Sequence, residues 1–107
     1  MDKKEYSTVV SIYKVKLAGD AKWQKAALIK LLELSYEKQA KKLDNHQGFS
    51  MVDMSSIGLL AVGCKYENSD LTEFQSEFVG KKLPNYAAQL VQHSDKAKLT
   101  AIVAALQ

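Results

Sequence analysis

The chain has 107 residues, of which 47% are apolar and 25% charged, a composition typical of a folded domain and unlike a disordered tail. This length predicts one domain over residues 1–107, with a core that needs neither disulfides nor a metal. The single cysteine, Cys64, excludes an intramolecular disulfide. The amino terminus of the chain is charged and the apolar runs are short, which favours neither a signal peptide nor a membrane span. We therefore expect a cytoplasmic protein.

All fifteen basic residues are lysines, and the chain contains no arginine. Residues 1–43 hold ten of these lysines and five acids, whereas residues 44–107 hold five lysines and seven acids. Bidentate contacts to guanine and phosphate depend on the planar fork of arginine. The composition therefore disfavours sequence-specific reading of DNA, although non-specific contacts to nucleic-acid phosphates stay open.

Residues 3–18 fit two kinds of secondary structure. Apolar side chains recur at helical spacing, but the segment is also rich in β-branched and aromatic residues that suit a strand over 7–17. The junction Gly19-Asp20 favours the helix, because Gly ends helices and Asp caps the start of the next one. We therefore predict a tight αα-hairpin at this junction.

Residues 20–43 form the longest helical pattern in the sequence, with Asp20 as its N-cap and no Gly or Pro inside it. Its apolar residues form two stripes on roughly opposite sides. Such a helix belongs in the middle of a bundle, with neighbours on both faces. The stripes are Trp23, Ala27, Leu31 and Leu34, and Ile29, Leu32, Tyr36, Ala40 and Leu43.

The segment after the predicted loop 44–48 is again ambiguous. Ser50 and Asp53 have the spacing of a capping box, which predicts a helix with Met54, Ile57, Ala61 and Cys64 on its buried stripe. A buried strand over 57–65 is the alternative, because Gly58 and Gly63 weaken a helix. We expect Met51 and Met54, beside Phe49 and Val52, to fill the core, with an adaptable contact surface as the alternative.

Three further helices are predicted in the last third of the chain. One begins at Asp70, with Glu73 at capping-box spacing, and ends at Gly80. Pro84 fits the first turn of the next, and Ser94-Asp95 caps the last. The predicted apolar faces are, in chain order, Leu71, Phe74 and Phe78; Ala87, Leu90 and Val91; and Leu99, Ile102, Val103 and Leu106.

Together these patterns predict an all-α fold, a single compact bundle of five or six helices built from αα-hairpins. The alternative is an α+β fold with strands near 7–17 and 57–65.

No motif in the sequence commits the protein to a chemistry. His46 and His93 are expected at helix ends or in loops, and Cys64 in the core. Neither a glycine-rich phosphate loop nor closely spaced metal ligands are present, so no cofactor and no metal site are predicted.

The function that fits best is a small non-catalytic binding protein of the inhibitor, adaptor, or immunity and anti-defence type. We expect it to engage one macromolecular partner, which is a protein and not a membrane. Lys38, Lys41 and Lys42 share the solvent side of the long helix and are the candidate binding residues. The first alternative is non-specific nucleic-acid binding through the lysines of residues 1–43. The second is a small enzyme that uses Cys64 with a histidine. A homodimer through the alanine-rich last helix is a further expectation.

Overall fold

The protein folds into helices throughout, and the computed structural model describes residues 2–105 except for the side chain of Val103. Over this range it has six α-helices and one 3-10 turn, with no strand. The all-α prediction is confirmed, and both ambiguous segments are helical. The elements are α1 (Lys3–Gly19), α2 (Ala21–Ala40), α3 (Met51–Tyr66), α4 (Glu73–Gly80), the 3-10 turn Leu83–Tyr86, α5 (Ala87–Gln92) and α6 (Lys96–Ala105).

The first two helices form the predicted αα-hairpin. Asp20 separates them, and its carboxylate accepts hydrogen bonds from the backbone N–H groups of Lys22 and Trp23 at 3.0 and 3.3 Å. The same residue closes α1, because its own N–H donates to the Lys16 carbonyl. One residue therefore satisfies orphan backbone groups of two helix ends, which makes the turn short.

Helix α2 lies at the centre of the bundle and packs against α1, α3, α4 and α5. Leu28, Leu31 and Leu32 are almost fully buried, so the prediction of neighbours on both sides is confirmed. The helix is shorter than predicted and ends at Ala40, because Lys42 adopts a left-handed conformation with φ of 53°. Tyr36 and Ala40, expected on a buried stripe, are exposed.

The connection from α2 to α3 is held to the body of the protein by hydrogen bonds. The Gln47 side-chain amide donates to the Leu34 carbonyl at 3.1 Å, and the Phe49 N–H donates to the Ser35 hydroxyl at 2.8 Å. Gly48 lies between them with φ of 82°, and a β-carbon there would overlap Ser35. This close approach fixes the start of α3 against α2.

Helix α4 differs from its prediction in both its start and its buried face. Thr72, not Asp70, is the N-cap, and its partner in the capping box is Gln75. Phe74 is 79% exposed, whereas Val79 is fully buried. The hydrogen bonds between Gln24 and Ser76 and the close approach of Gly80 to Ala18 set this orientation. Hydrophobic spacing does not encode it.

The inner face of α4 is joined to the α1–α2 hairpin by a buried glutamine. The Gln24 side-chain amide donates to the carbonyls of Leu17 and Ser76 at 2.9 and 3.1 Å, and its oxygen accepts from the Ser76 hydroxyl. Gly80 approaches the Ala18 carbonyl so closely that a β-carbon would overlap it. Burial of Gln24 is tolerated because all of its polar atoms have partners.

The carboxyl-terminal third wraps around α1. Pro84 lies in the 3-10 turn and not in an α-helix, and the predicted face of α5, Ala87, Leu90 and Val91, is buried. Asp95 accepts from the Ala97 N–H at 2.7 Å, as its predicted capping role requires. Leu99 is buried and Ile102 packs against the core, while the predicted contacts of the Val103 and Leu106 side chains lie outside the described residues.

Candidate interaction surface

Helix α3 has one principal neighbour, α2, and leaves an apolar row on its opposite side. Val52, Leu59 and Tyr66 are 73%, 85% and 63% exposed. Their spacing of seven residues places them on one face, about 21 Å long at 1.5 Å per residue. We call these three residues the α3 row. Single exposed apolar side chains are common on proteins, but an aligned set along an unpacked helix face is typical of interaction sites.

The α3 row carries no charge. Asp53 and Lys65 are the only charged residues of α3, and both point to other elements. The Lys65 ammonium lies 2.9 Å from the Glu33 carboxylate on α2, a hydrogen bond that raises the pKa of Lys65. Ser55 and Ser56, which are exposed, and Gly63 lie between the large apolar residues. A second helix could therefore approach this face closely.

A polar cluster anchors the amino-terminal end of α3. The Tyr86 hydroxyl donates to the Asp53 carboxylate and accepts from the Ser50 N–H at 3.0 Å. The Lys82 ammonium lies 3.4 Å from the same carboxylate. Burial and the bond to Asp53 raise the pKa of Tyr86. Ser50 caps α3 as predicted, but Asp53 does not complete a capping box, since its carboxylate is turned to Tyr86.

A groove of about 600 Å³ lies beside the start of α3, between it and the end of α2. Its apolar part includes Leu43, Phe49 and Met54, and Lys38 and Lys42 border it; we call it the Met54 groove. Two of the three predicted binding lysines thus share one site with apolar side chains. The third, Lys41, does not line the groove and lies 3.5 Å from Glu37, as an i,i+4 pair.

The expectation of core filling around Met51 holds only in part. Phe49 is buried and Met54 packs against the core, but Met51 is 89% exposed and Val52 also faces outward. The prediction was wrong for these two residues because α3 receives no second neighbour on that side. Their position fits the alternative of an adaptable contact surface, since methionine adjusts to irregular partners.

Cys64 and the histidines lie in different surroundings. Cys64 is 2% exposed, and burial raises the pKa of its thiol, as the core prediction implies. His46 lies in the loop before α3 and His93 caps α5, and both line one cavity of about 330 Å³ with Gln89 and Gln92. Cys64 is not among the residues that line this cavity.

Two further observations concern residues 2–105. No group of three His, Cys, Asp or Glu side chains is arranged to hold a metal ion in this part of the chain. Each helix described here is too short or too polar to cross a lipid bilayer.

The alanines of α6 that flank its apolar stripe are exposed: Ala97, Ala101, Ala104 and Ala105. The homodimer expected through this helix stays a prediction.

The α3 row was missed from the sequence although a signal for it is present. Val52, Leu59 and Tyr66 recur every seven residues on the side opposite to the stripe of Ile57, Ala61 and Cys64. An apolar helix with large residues on opposite faces needs two neighbours, and the sequence alone does not show that only one is supplied.

Comparison of the chain with protein-family models, with curated proteins and with solved structures gives no match.

Proposed function

We propose that this protein is a small non-catalytic binding protein, of the inhibitor, adaptor or immunity type, which engages one protein partner through the α3 row. The observation that carries the proposal is the exposure of Val52, Leu59 and Tyr66 on a helix that packs against one principal neighbour. Burying a large apolar side chain contributes about 1.5–3 kcal/mol, so a partner that covers the row gains a substantial driving force.

The chemistry of the surface defines the partner it fits. An uncharged row with small residues between its large ones suits an apolar helix, or a shallow apolar groove, of similar length. Lys38 and Lys42 border the Met54 groove at one end of α3, so the partner should carry acidic side chains at that end. Tyr66, at the other end, is a residue type enriched among those that dominate binding energy.

The nucleic-acid alternative receives less support, because three of the ten lysines in residues 1–43 are paired with acids. Lys16, Lys25 and Lys41 each lie within 4.0 Å of a carboxylate, at 3.9, 2.9 and 3.5 Å. The Lys25 ammonium also lowers the pKa of Asp70. Phosphates must compete with these acids. Binding to random duplex DNA that falls steeply between 50 and 200 mM salt, by about 10³-fold or more, would favour this alternative over the protein partner.

The test is affinity capture from the source cell with three forms of the protein: wild type, Leu59→Lys and the control Val15→Lys. Val15 is 75% exposed on α1, so both substitutions add the same charge at a similarly exposed apolar position. We expect one protein to be retained by wild type and by Val15→Lys and to be lost from Leu59→Lys. Equal retention by all three forms would contradict the proposal, provided that circular dichroism shows all three folded.

The proposal includes a cytoplasmic location and no cofactor.

The enzyme alternative requires Cys64 to react rapidly with an alkylating reagent in the folded state. Because the thiol is buried and its pKa is raised, we expect labelling at pH 8 to be at least about tenfold slower in the native protein than in denaturant. Rapid labelling of native protein would revive the enzyme alternative.

A further inference from the structure

A second concave site lies away from α3, where α1 and α2 meet the junction of α5 and α6. It is a cavity of about 410 Å³, within the range of about 300–1,000 Å³ that is usual for small-molecule sites. Tyr13 and Trp23 provide an aromatic lining, with ring centroids 5.0 Å apart and planes at 89°. Leu17 and Leu90 add buried aliphatic surface. We call this site the Trp23 cavity.

Three lysines surround this apolar lining. Lys22, Lys30 and Lys98 line the cavity from α2 and α6, and the only carboxylate among the lining residues is that of Asp95. Within residues 2–105, none of the three lysines lies within 4.0 Å of a carboxylate. The Lys98 ammonium lies 5.5 Å from the centroid of the Trp23 ring. Three ammonium groups against one carboxylate therefore give the lining an excess of positive charge beside the aromatic surface.

Most polar side chains inside the cavity have hydrogen-bond partners within the protein, and His93 adds an imidazole ring to the lining. The Asp95 carboxylate accepts from the Ala97 N–H at the start of α6. The Tyr13 hydroxyl and the Ser94 hydroxyl are hydrogen-bonded to each other at 3.0 Å, and Ser94 also donates to the Leu90 carbonyl. Besides the His93 ring, the ammonium groups are thus the side-chain donors that the lining offers a ligand, and they outnumber its single carboxylate by three to one.

We infer that the Trp23 cavity binds a small organic anion with a flat apolar body, such as an aromatic carboxylate. The body packs against Trp23 and Tyr13, and the anionic group accepts hydrogen bonds from the surrounding ammonium groups. A small inorganic anion would leave the aromatic surface uncovered, and a neutral hydrocarbon would leave the ammonium groups without a counter-charge. Both features are used only by a ligand that combines the two.

Trp23 is the only tryptophan in the chain, so its fluorescence reports occupancy directly. The probe is 8-anilinonaphthalene-1-sulfonate, a flat aromatic anion that accepts excitation energy from tryptophan. We expect saturable quenching of Trp23 with a stoichiometry of about one, because the inference places one probe molecule in the Trp23 cavity. The uncharged analogue N-phenyl-1-naphthylamine should bind at least about fivefold more weakly, since it lacks the group that meets the lysines.

Substitutions locate the probe. Lys98→Gln and Lys30→Gln should each weaken binding by about five- to tenfold, the effect of losing one charge-assisted contact. Lys81→Gln, a lysine outside the cavity, should leave binding unchanged, and so should Leu59→Lys on the α3 row. The inference is overturned if Trp23 fluorescence shows no saturable change, if the uncharged analogue binds equally well, if both cavity variants bind as wild type does, or if Leu59→Lys abolishes binding. Leu59→Lys is also the variant that tests the protein partner. It should abolish capture of the partner and leave probe binding unchanged, so either proposal can fail while the other stands.

Discussion

Helices α2 and α3 both contain many apolar residues, yet they differ in how many neighbouring helices cover them. Both have apolar residues on two sides. Helix α2 has neighbours on each side, so Leu28, Leu31 and Leu32 are almost fully buried. Helix α3 has one principal neighbour, and Leu59 is 85% exposed. An apolar helix face is usually covered by a neighbouring element. Where such a face stays uncovered on a helix that is otherwise well anchored, it is a candidate binding surface.

The largest expected effect contrasts one leucine from each helix. Leu31→Ala should destabilise the protein by about 2–5 kcal/mol, because it removes buried contacts and leaves a cavity. Leu59→Ala should change the free energy of unfolding by less than about 0.5 kcal/mol, as is usual for exposed positions. Urea denaturation followed by circular dichroism measures both. Similar losses for the two variants would show that α3 is covered by the protein itself.

The next effect tests the packing of α4 against the α1–α2 hairpin. This packing places α4 on the hairpin and not on the outer face of α3. Gly80→Ala should cost about 1–3 kcal/mol, because its β-carbon would overlap the Ala18 carbonyl and force the helices apart. The matched control is Gly19→Ala, whose β-carbon meets no atom within 4 Å. It should be neutral or stabilise by up to about 1 kcal/mol. Thermal unfolding measures the stability of both variants. Equal stability would contradict the close approach of Gly80 to the Ala18 carbonyl.

A smaller effect is expected at the anchor of α3. Tyr86→Phe removes the hydroxyl that joins Ser50 and Asp53, which should cost about 1 kcal/mol. Hydrogen exchange should accelerate at the first turn of α3 more than at α2, since the lost contacts hold only that end. Uniform acceleration across both helices would mean that the cluster does not specifically position α3.

The smallest effect is a pH dependence from Cys64 in the core. Its folded pKa is raised above the ordinary value of 9.0, so the folded state keeps the proton at pH values where the unfolded state loses it. Stability from this group is therefore intact below pH 9 and declines as the pH rises through that value. Under reducing conditions, Cys64→Ala should lose less stability than wild type between pH 8 and 10. Parallel loss in both proteins would show that the thiol titrates normally when folded.

The helices and most caps were predictable because they depend on local chemistry. Asp20, Ser50 and Asp95 cap helices by accepting from N–H groups two or three residues away, and the sequence displays that spacing. The orientation of α4 was not predictable, because it follows from Gln24 meeting Ser76 across 52 positions. Local spacing favoured Phe74, which the long-range contacts turn outward.

The candidate site was predictable in its parts and not in their assembly. Lys38 and Lys42 were expected at the surface, but nothing local indicated that they border an apolar groove with Met54. Likewise the Trp23 cavity joins Tyr13 to Lys98, residues brought together only when α6 returns to α1. Sites of this kind depend on which faces of the helices remain uncovered, and that is decided by the packing of the whole chain.

The central claim, that the α3 row docks a protein partner, is tested most directly by photo-crosslinking in the source cell. A photo-crosslinking amino acid replaces Leu59 in one sample and Val15, on α1, in the control. We predict one dominant adduct with a different protein from position 59 and none from position 15. No adduct at position 59, an adduct only with a second copy of this chain, or the same adducts from both positions would contradict the claim.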